Sequence, residues 1–262
     1  MKYADRIAVR SRIEMDRMRE VGEQTGEILL KLREAAKPGT TTAELNDVAD
    51  GELKRRRLNS PFLGYGPGGL PPYPAVICAS VNDEVVHGIP GSRELREGDI
   101  LSLDFGVEAG GFHRDSAVTI PIGPISEAAQ RLIDATEDSL TDGIEQMVKG
   151  RRLSDIGAAV QKKAEAAGFS VVRQFVGHGI GRQMHEPPQV PNYGRPGRGQ
   201  RLQIGMVFAI EPMVNVGTEK VRVLEDEWTA VTSDGELSAH FEHTVAITED
   251  GPEVLTRVPG SH

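Results

Sequence analysis

The stretch EGDILSLDFGV, residues 97–107, carries the branched and aromatic side chains of a β-strand together with a carboxylate, Asp104, near its centre. A single carboxylate in a half-exposed strand usually faces water. The pattern returns, however, as IGMVFAIEPMV at residues 204–214, where Glu211 falls on the position of Asp104. The same unusual feature in two matched strands indicates a shared role for the two acids.

A second pair of strands repeats in the same order. DSAVTI at residues 115–120 lies over EHTVAI at residues 242–247, and this match places Asp115 on Glu242. The second half carries a longer insertion between its two strands. Because successive side chains alternate between faces, each acid shares its face with small or modest neighbours that leave space above the sheet.

Helical periodicity also occurs twice. Apolar residues recur every three or four positions at residues 14–32 and again at residues 126–147. Each of these segments is followed by a stretch that predicts a second helix, at residues 37–58 and 148–169, and the two stretches align with each other. The repeated unit is therefore helix–helix–strand–strand.

This duplication predicts an α+β fold with a pseudo-twofold axis, a central antiparallel sheet and outer helices. We expect a single domain over residues 1–262. Its pseudo-symmetric halves, at about 14–122 and 126–256, would share one core, because no linker sequence divides them.

The composition of the chain narrows the classes of function. Of its 262 residues 38% are hydrophobic and 26% are charged, as in globular proteins, and the net charge is −9. A negative surface argues against nucleic-acid and anionic-membrane partners. The one cysteine, Cys78, excludes an intrachain disulfide, and the charged N-terminal stretch lacks the apolar core of a signal peptide. No apolar run is long enough for a membrane helix, so we expect a cytoplasmic protein.

Four carboxylates at symmetry-matched positions require compensation if the two halves bring them together. Like charges at short range raise one another's pKa and repel. A pair of divalent cations about 3.5–4 Å apart is the simplest compensation. A histidine would complete such a site, and FVGHGIGRQMHEPPQ at residues 175–189 offers both His178 and His185. The competing interpretation is that each acid points to solvent.

Two other sequence motifs lack the flanking sequence that their usual functions require. GYGPGG at residues 64–69 fits a dinucleotide-binding pattern, but LPPYP follows it instead of a helix, so we interpret it as a Gly/Pro loop that could line a cleft. The pair His185–Glu186 is followed by two prolines, which excludes the two-histidine helix of a zinc protease.

Six blocks of sequence together resemble the type I methionine aminopeptidases in their short bacterial form. The resemblance covers nearly the whole chain and implies the pita-bread fold, which agrees with the duplication. The short spacing between His185 and Glu211 matches type I and leaves no room for the insertion of type II enzymes. The blocks are HGIP with His87, LDFG with Asp104, GFHRDSAVT with Asp115, GHGIGRQMHEPP with His178 and His185, AIEPMV with Glu211, and SAHFEHTVAI with Glu242.

The resemblance implies a dinuclear metal site with two bridging ligands, Asp115 and Glu242. The identity of the two divalent ions stays open among cobalt, manganese, iron and zinc, because these ligands suit all four. The complete implied ligand set is Asp104, Asp115, His178, Glu211 and Glu242.

The resemblance also implies catalytic and substrate-binding residues outside the metal ligands. Glu211 would act as general base, His185 would stabilise the oxyanion, and His87 would hydrogen-bond the scissile amide nitrogen. Two departures from the family are Val86, where many relatives have cysteine, and a longer loop at residues 64–73. The residues that match the pocket for the methionine side chain are Tyr73, Cys78, Met184, Trp228, Tyr65 and Phe62.

The implied activity is hydrolytic removal of the N-terminal methionine from nascent polypeptides, with a preference for a small second residue. We expect a monomer with no nucleic-acid cofactor and no membrane partner, and it stays open whether the enzyme meets its substrate at the ribosome. An alternative of the same fold is an Xaa-Pro aminopeptidase, although those enzymes usually carry a large N-terminal domain. A further alternative is a non-catalytic pita-bread binding module, although such relatives lose ligands that are all present here.

Overall fold

The structure, a computed structural model, describes residues 7–257 of the chain, and the predicted domain limits at residues 1 and 262 lie outside that range. Helices and strands both occur in each half, as the duplication predicts. The helices of the described part are α1 (Arg12–Ala35), α2 (Thr42–Arg56), α3 (Glu127–Ile144) and α4 (Leu153–Ala166). None of them combines the length and the apolarity that a bilayer crossing requires.

The ends of the helices differ slightly from the predicted ones, and local capping explains the differences. Helix α1 begins before the predicted residue 14, because the hydroxyl of Ser11 accepts a hydrogen bond from the backbone N–H of Glu14 while the Glu14 carboxylate accepts one from Ser11. Helix α2 ends before Leu58, because Arg57 takes a left-handed conformation with φ 59°.

The strands form one large sheet and two small ones, and every pair of strands is antiparallel. Those of the large sheet are, in spatial order, β1 (Cys78–Val81), β3 (Ile100–Ala109), β4 (Phe112–Pro121), β13 (Glu242–Thr248), β8 (Val207–Ile210), β6 (Gly177–Gly179) and β7 (Glu186–Val190), with β14 (Gly251–Val254) paired to β13. The small sheets contain β10 (Val221–Val223), β11 (Ala230–Thr232) and β2 (Glu84–Val86), and β12 (Ser238–His240), β9 (Met213–Asn215) and β5 (Ser170–Val171).

The predicted pseudo-twofold arrangement is confirmed by the order of the large sheet. Strands β4 and β13 lie side by side at its centre, β3 and β8 flank them, and β1 and β6 follow on either side. Matched glycines also adopt matched conformations: φ is 91° at Gly39 and 92° at Gly150, and 98° at Gly98 and 84° at Gly205. These left-handed turns favour glycine, so each half enters its second helix, and then its first matched strand, through the same geometry.

The apolar interior consists of two main clusters. One lies between α1, α2 and the first strands and includes Leu32, Leu45 and Phe105, and the other lies beneath α3 and α4. Val118 on the central strand β4 packs against both clusters. We retain the single-domain interpretation, because the sheet runs continuously between the two clusters.

Candidate metal centre and substrate cavity

A cavity of about 530 Å³ opens on one face of the central strands. It brings together every residue for which the sequence predicts a role as metal ligand, catalytic group or substrate contact. The lining residues of this predicted set are Phe62, Tyr65, Tyr73, Cys78, His87, Asp104, Asp115, His178, Met184, His185, Glu211, Trp228 and Glu242.

The register of the sheet gathers the four acids on one face. Asp104 on β3 lies opposite Ala117 on β4, and Ala117 lies opposite Glu242 on β13. Asp115 is two residues from Ala117, so its side chain projects from the same face. Glu211 directly follows β8, where the preceding residue pairs with the neighbour of Glu242.

His178 completes what we call the polar cluster, namely the four acids and this histidine. Ligand atoms of Asp115, His178 and Glu242 all lie within 4.8 Å of one another, and these three residues are buried. Nε2 of His178 also lies 3.5 Å from Oε1 of Glu211. Asp104 stands outside the 4.8 Å group, although it lines the same cavity.

The tautomer of His178 is set by its surroundings. Nδ1 lies 2.9 Å from the carbonyl oxygen of Gly179, and a carbonyl only accepts hydrogen bonds, so Nδ1 carries the proton. Burial lowers the pKa of His178 to about 3, which keeps the ring neutral at pH 7. The lone pair of Nε2 therefore faces the acids, as a metal-binding imidazole requires.

Burial perturbs the acids in the opposite direction. It raises the pKa of Asp104 to about 7. Burial first, and neighbouring carboxylates second, raise the pKa values of Asp115, Glu211 and Glu242 well above the ordinary range. Carboxylates that hold protons this strongly are short of positive charge in their surroundings.

Two buried carboxylate oxygens without hydrogen-bond partners in the described part of the chain indicate whether a cation fits the polar cluster. Among residues 7–257, Oδ1 of Asp104 and Oε1 of Glu242 have no hydrogen-bond partner, although buried polar atoms are almost always paired. Carboxylate oxygens and one neutral imidazole are ligands that divalent transition metals accept. The residues present therefore fit a divalent metal site.

The two predicted substrate histidines lie at the border of the polar cluster. His87 follows β2 with φ 61°, and its ring centroid lies 5.4 Å from that of Phe175 and 5.9 Å from that of Trp228. Burial lowers the pKa of His87 to about 4. The ring of His185 lies 4.2 Å from that of His178, centroid to centroid.

Tyr65 orients His185 from the other side. The two rings stack with their centroids 5.3 Å apart, and the Tyr65 hydroxyl lies 2.8 Å from Nδ1 of His185. Burial raises the pKa of Tyr65, so its hydroxyl keeps its proton at pH 7. This hydroxyl can donate to Nδ1, which leaves the proton of the imidazole on Nε2.

One apolar cluster contains all the residues predicted for the methionine side-chain pocket, and we call it the apolar wall. The Tyr73 ring centroid lies 5.1 Å from that of Trp228 and 6.5 Å from that of Phe62. Nε1 of Trp228 donates to the carbonyl oxygen of Pro71 at 3.0 Å, which ties this wall to the Gly/Pro loop. The predicted pocket residues in the apolar wall are Phe62, Tyr65, Tyr73, Cys78, Met184 and Trp228, and Ala75 and Ile89 complete the cluster.

Several lining residues were not predicted from the sequence. Phe175 begins the glycine-rich block that contains His178, so its position offered a signal. Val223 and Glu227 belong to the hairpin β10–β11, which carries no recognisable motif. Tyr65 and Pro67 of the Gly/Pro loop at residues 64–69 line the cavity. The unpredicted lining residues are Pro67, Leu70, Gln174, Phe175, Val223 and Glu227.

Comparisons with known proteins show which family this chain is similar to. The model of metallopeptidase family M24 matches residues 16–249. A methionine aminopeptidase of Clostridium perfringens is 51% identical over 96% of this chain and 99% of its own length, and methionine aminopeptidase 1 of Bacillus subtilis is 48% identical over 94% and 97%.

Solved structures extend the similarity to three dimensions. The methionine aminopeptidase of Thermotoga maritima has a TM-score of 0.92 at 42% identity and covers 96% of this chain and 100% of its own. The prolidase of Pyrococcus horikoshii has a TM-score of 0.73 at 17% identity over 95% of this chain and 63% of its own, so it shares the fold alone. The predicted pita-bread fold is thereby confirmed.

Proposed function

This chain belongs to the methionine aminopeptidases of metallopeptidase family M24, and from that premise we propose that it hydrolyses the peptide bond after the N-terminal methionine of nascent polypeptides. The observation that carries the proposal is the meeting of the polar cluster and the apolar wall in one cavity. The first offers ligands for metal-assisted hydrolysis, and the second offers an apolar site for the methionine side chain.

Family membership and the buried Asp–His–Glu group indicate the use of divalent metal. We propose that the polar cluster holds two ions, with Asp115 and Glu242 on the central strands as shared ligands. Asp104, Glu211 and His178 would complete the set from the flanking strands. When bound, the ions supply Lewis-acid polarisation of the scissile carbonyl and activation of water. Manganese, iron, cobalt and zinc all suit these ligands.

The apolar wall selects the first residue of the substrate. Burying a side chain of the size of methionine stabilises a complex by about 1.5–3 kcal/mol. The aromatic rings of Tyr73 and Trp228 add favourable contacts with a thioether sulfur. Because the wall is tied to Pro71 through Trp228, the pocket is formed before the substrate arrives.

The histidines act on the scissile bond as neutral imidazoles, because the pKa values of His87 and His185 are both lowered by burial. With Tyr65 donating to Nδ1, Nε2 of His185 carries a proton that it can donate to the developing oxyanion. His87 would hydrogen-bond the scissile amide nitrogen. Glu211 would serve as general base, since it lines the cavity in which the scissile bond would lie.

The site is made by one described chain, and we further propose that the enzyme is a monomer. It would act in the cytoplasm on nascent chains as they leave the ribosome. Sedimentation of the purified enzyme at micromolar concentration should give the mass of a single chain. Neither alternative function is favoured: the proline-specific neighbours share only the fold, and the polar cluster retains every candidate ligand.

The test is turnover of two short peptides by enzyme purified without metal. With added Mn²⁺ we expect cleavage of Met-Ala-Ser and no measurable cleavage of Ala-Pro peptides. The variant Asp104→Ala should lose both activity and metal binding by calorimetry. Cleavage of Ala-Pro in preference to Met-Ala-Ser, or full activity of Asp104→Ala, would contradict the proposal.

A further inference from the structure

Glu227 occupies an unusual position at the cavity. It lies in the turn between β10 and β11 and is exposed, yet it lines the same cavity as Leu70 and Val223. Outside the polar cluster, Glu227 is the only Asp, Glu, Lys or Arg among the lining residues of the described chain. The wall on that side is otherwise apolar or aromatic.

The turn holds Glu227 in place. The backbone N–H of Glu227 donates to the carbonyl of Leu224 at 3.0 Å. The carboxylate of Asp226 accepts from the backbone N–H of Trp228 at 2.9 Å and of Thr229 at 2.8 Å. Trp228 is in turn part of the apolar wall, so the position of Glu227 is coupled directly to the pocket for the first substrate residue.

The backbone of Glu227 is left-handed, with φ 64°. A glycine adopts this conformation without a steric penalty, whereas a glutamate there is strained. Residues in such conformations concentrate at functional sites. The turn therefore fixes the backbone of Glu227 in a conformation that glycine would adopt more readily.

Within the described residues, no cationic side chain neutralises the charge of Glu227. Across residues 7–257, no Lys, Arg or His nitrogen forms a salt bridge with its carboxylate. Arg222 is near in sequence, but side chains alternate along β10, so Arg222 projects away from the face on which Val223 lines the cavity. Asp226, the neighbouring acid, is occupied by its hydrogen bonds within the turn.

We propose that Glu227 forms a subsite for a cationic side chain, lysine or arginine, at the third or fourth residue of the substrate. This inference rests on the proposed function. With the methionine side chain against Trp228, an extended substrate leaves the cavity past its mouth at about 3.3 Å per residue. A lysine or arginine there can lay its aliphatic stem along Leu70 and Val223 and bring its charge to Glu227.

The test compares kcat/KM for matched peptides at low ionic strength. Met-Ala-Lys-Ser is paired with Met-Ala-Gln-Ser, and Met-Ala-Ser-Lys with Met-Ala-Ser-Gln. We expect the wild type to favour the lysine peptide in at least one pair by about two- to fivefold, and added salt to reduce that preference. The variant Glu227→Gln should bring the ratio close to one, and Glu227→Lys should reverse it.

Glu225→Gln is the matched control, because Glu225 lies in the same turn and does not line the cavity. This variant should keep the wild-type lysine preference. A lysine preference that is absent from the wild type, or that survives in Glu227→Gln, would overturn the subsite and leave the proposed function intact. If the wild-type enzyme cleaved none of the methionine peptides, the proposed function would be overturned, and the subsite with it.

Discussion

The two halves of the molecule share a framework and differ in what they attach to it. In the first half, β3 and β4 carry Asp104 and Asp115. In the second half, Glu211 directly follows β8, and Glu242 lies on β13. The first pair is joined by a tight turn at Gly110 and Gly111, whereas the second pair is separated by the segment that contains β9 to β12. That longer connection carries Trp228 and Glu227.

The histidine of the polar cluster also breaks the symmetry. Strand β1 pairs with β3 as β6 pairs with β8, and the register places Ser80 opposite Ser102 and His178 opposite Ala209. Ser102 and Ala209 precede Asp104 and Glu211 by the same two residues, so Ser80 is the counterpart of His178. The duplicated framework therefore provides the acids, and its departures from symmetry provide the histidines and the selective walls.

Replacing His178 with alanine should have the largest effect on activity, whereas replacing its counterpart Ser80 should have little effect. His178→Ala removes a candidate ligand, and we expect kcat/KM for Met-Ala-Ser to fall by at least about 10²-fold. Ser80→Ala removes a hydroxyl that accepts from Gly88 at 3.0 Å and should cost about 1 kcal/mol of stability while most activity remains. Equal losses of activity in the two variants would show that the counterparts are functionally equivalent.

The asymmetric loop at residues 181–185, which carries His185, should depend on a buried ion pair. The carboxylate of Glu186 accepts from the backbone of Arg182 and Gln183 and pairs with Arg10, with side-chain exposures of 8% for Arg10 and 12% for Glu186. Because Arg10→Ala would leave a buried carboxylate unpaired, we expect a loss of about 3 kcal/mol in urea denaturation and a lower kcat/KM.

Arg19→Ala is the matched control for this ion pair. Arg19 pairs with Glu253, but both side chains are much more exposed, at 38% and 33%. Solvent screens such pairs, so this variant should cost less than about 1 kcal/mol. If Arg10→Ala and Arg19→Ala cost the same, the buried pair does not hold the loop.

When the metal is removed, the four acids of the polar cluster should bind protons. Burial raises the pKa of Asp104 to about 7, and it also raises the pKa values of Asp115, Glu211 and Glu242 well above their ordinary range. Bound metal must displace these protons, so the rise in Tm caused by Mn²⁺ should grow as pH increases from about 5.5 to about 7.5.

The direction of this pH dependence follows from the protonation of the metal-free protein. Carboxyl groups with raised pKa stabilise the metal-free protein while they are protonated, and that stabilisation is lost as pH rises through their folded pKa values. Glu211→Gln removes one such group and should flatten the pH dependence of the Mn²⁺ effect. Thermal scans in which Mn²⁺ raises Tm equally at both pH values would contradict the raised pKa values.

The smallest effect is expected at Trp228, which the second half contributes to the apolar wall. Trp228→Phe keeps an aromatic ring but leaves the carbonyl of Pro71 without its donor, which should cost about 1 kcal/mol and raise KM for methionine peptides. Tyr193→Phe removes a weaker exposed contact, 3.4 Å from the carbonyl of Arg173, and should change neither measurement detectably. An unchanged KM in Trp228→Phe would show that the tie to Pro71 does not shape the pocket.

The parts of the site that follow strand periodicity could be predicted from the sequence. Asp104 and Glu211 were found because strand alternation and the duplication are visible within short stretches. His178 and His185 could not be distinguished on those grounds, and only the family resemblance assigned them separate roles. Val223 and Glu227 escaped prediction, because a hairpin without a motif gives no sign of the cavity that it will border.

By itself the sequence determined the repeated unit, the strands that carry the acids and the face on which those acids lie. These properties depend on spacing along the chain, which local backbone geometry converts into direction. Only the tertiary structure decided that Nε2 of His178 faces the acids, that Tyr65 holds His185, and that Glu227 borders the mouth of the cavity. Those facts depend on contacts between residues far apart in the chain, and such contacts exist only after the two halves have packed together.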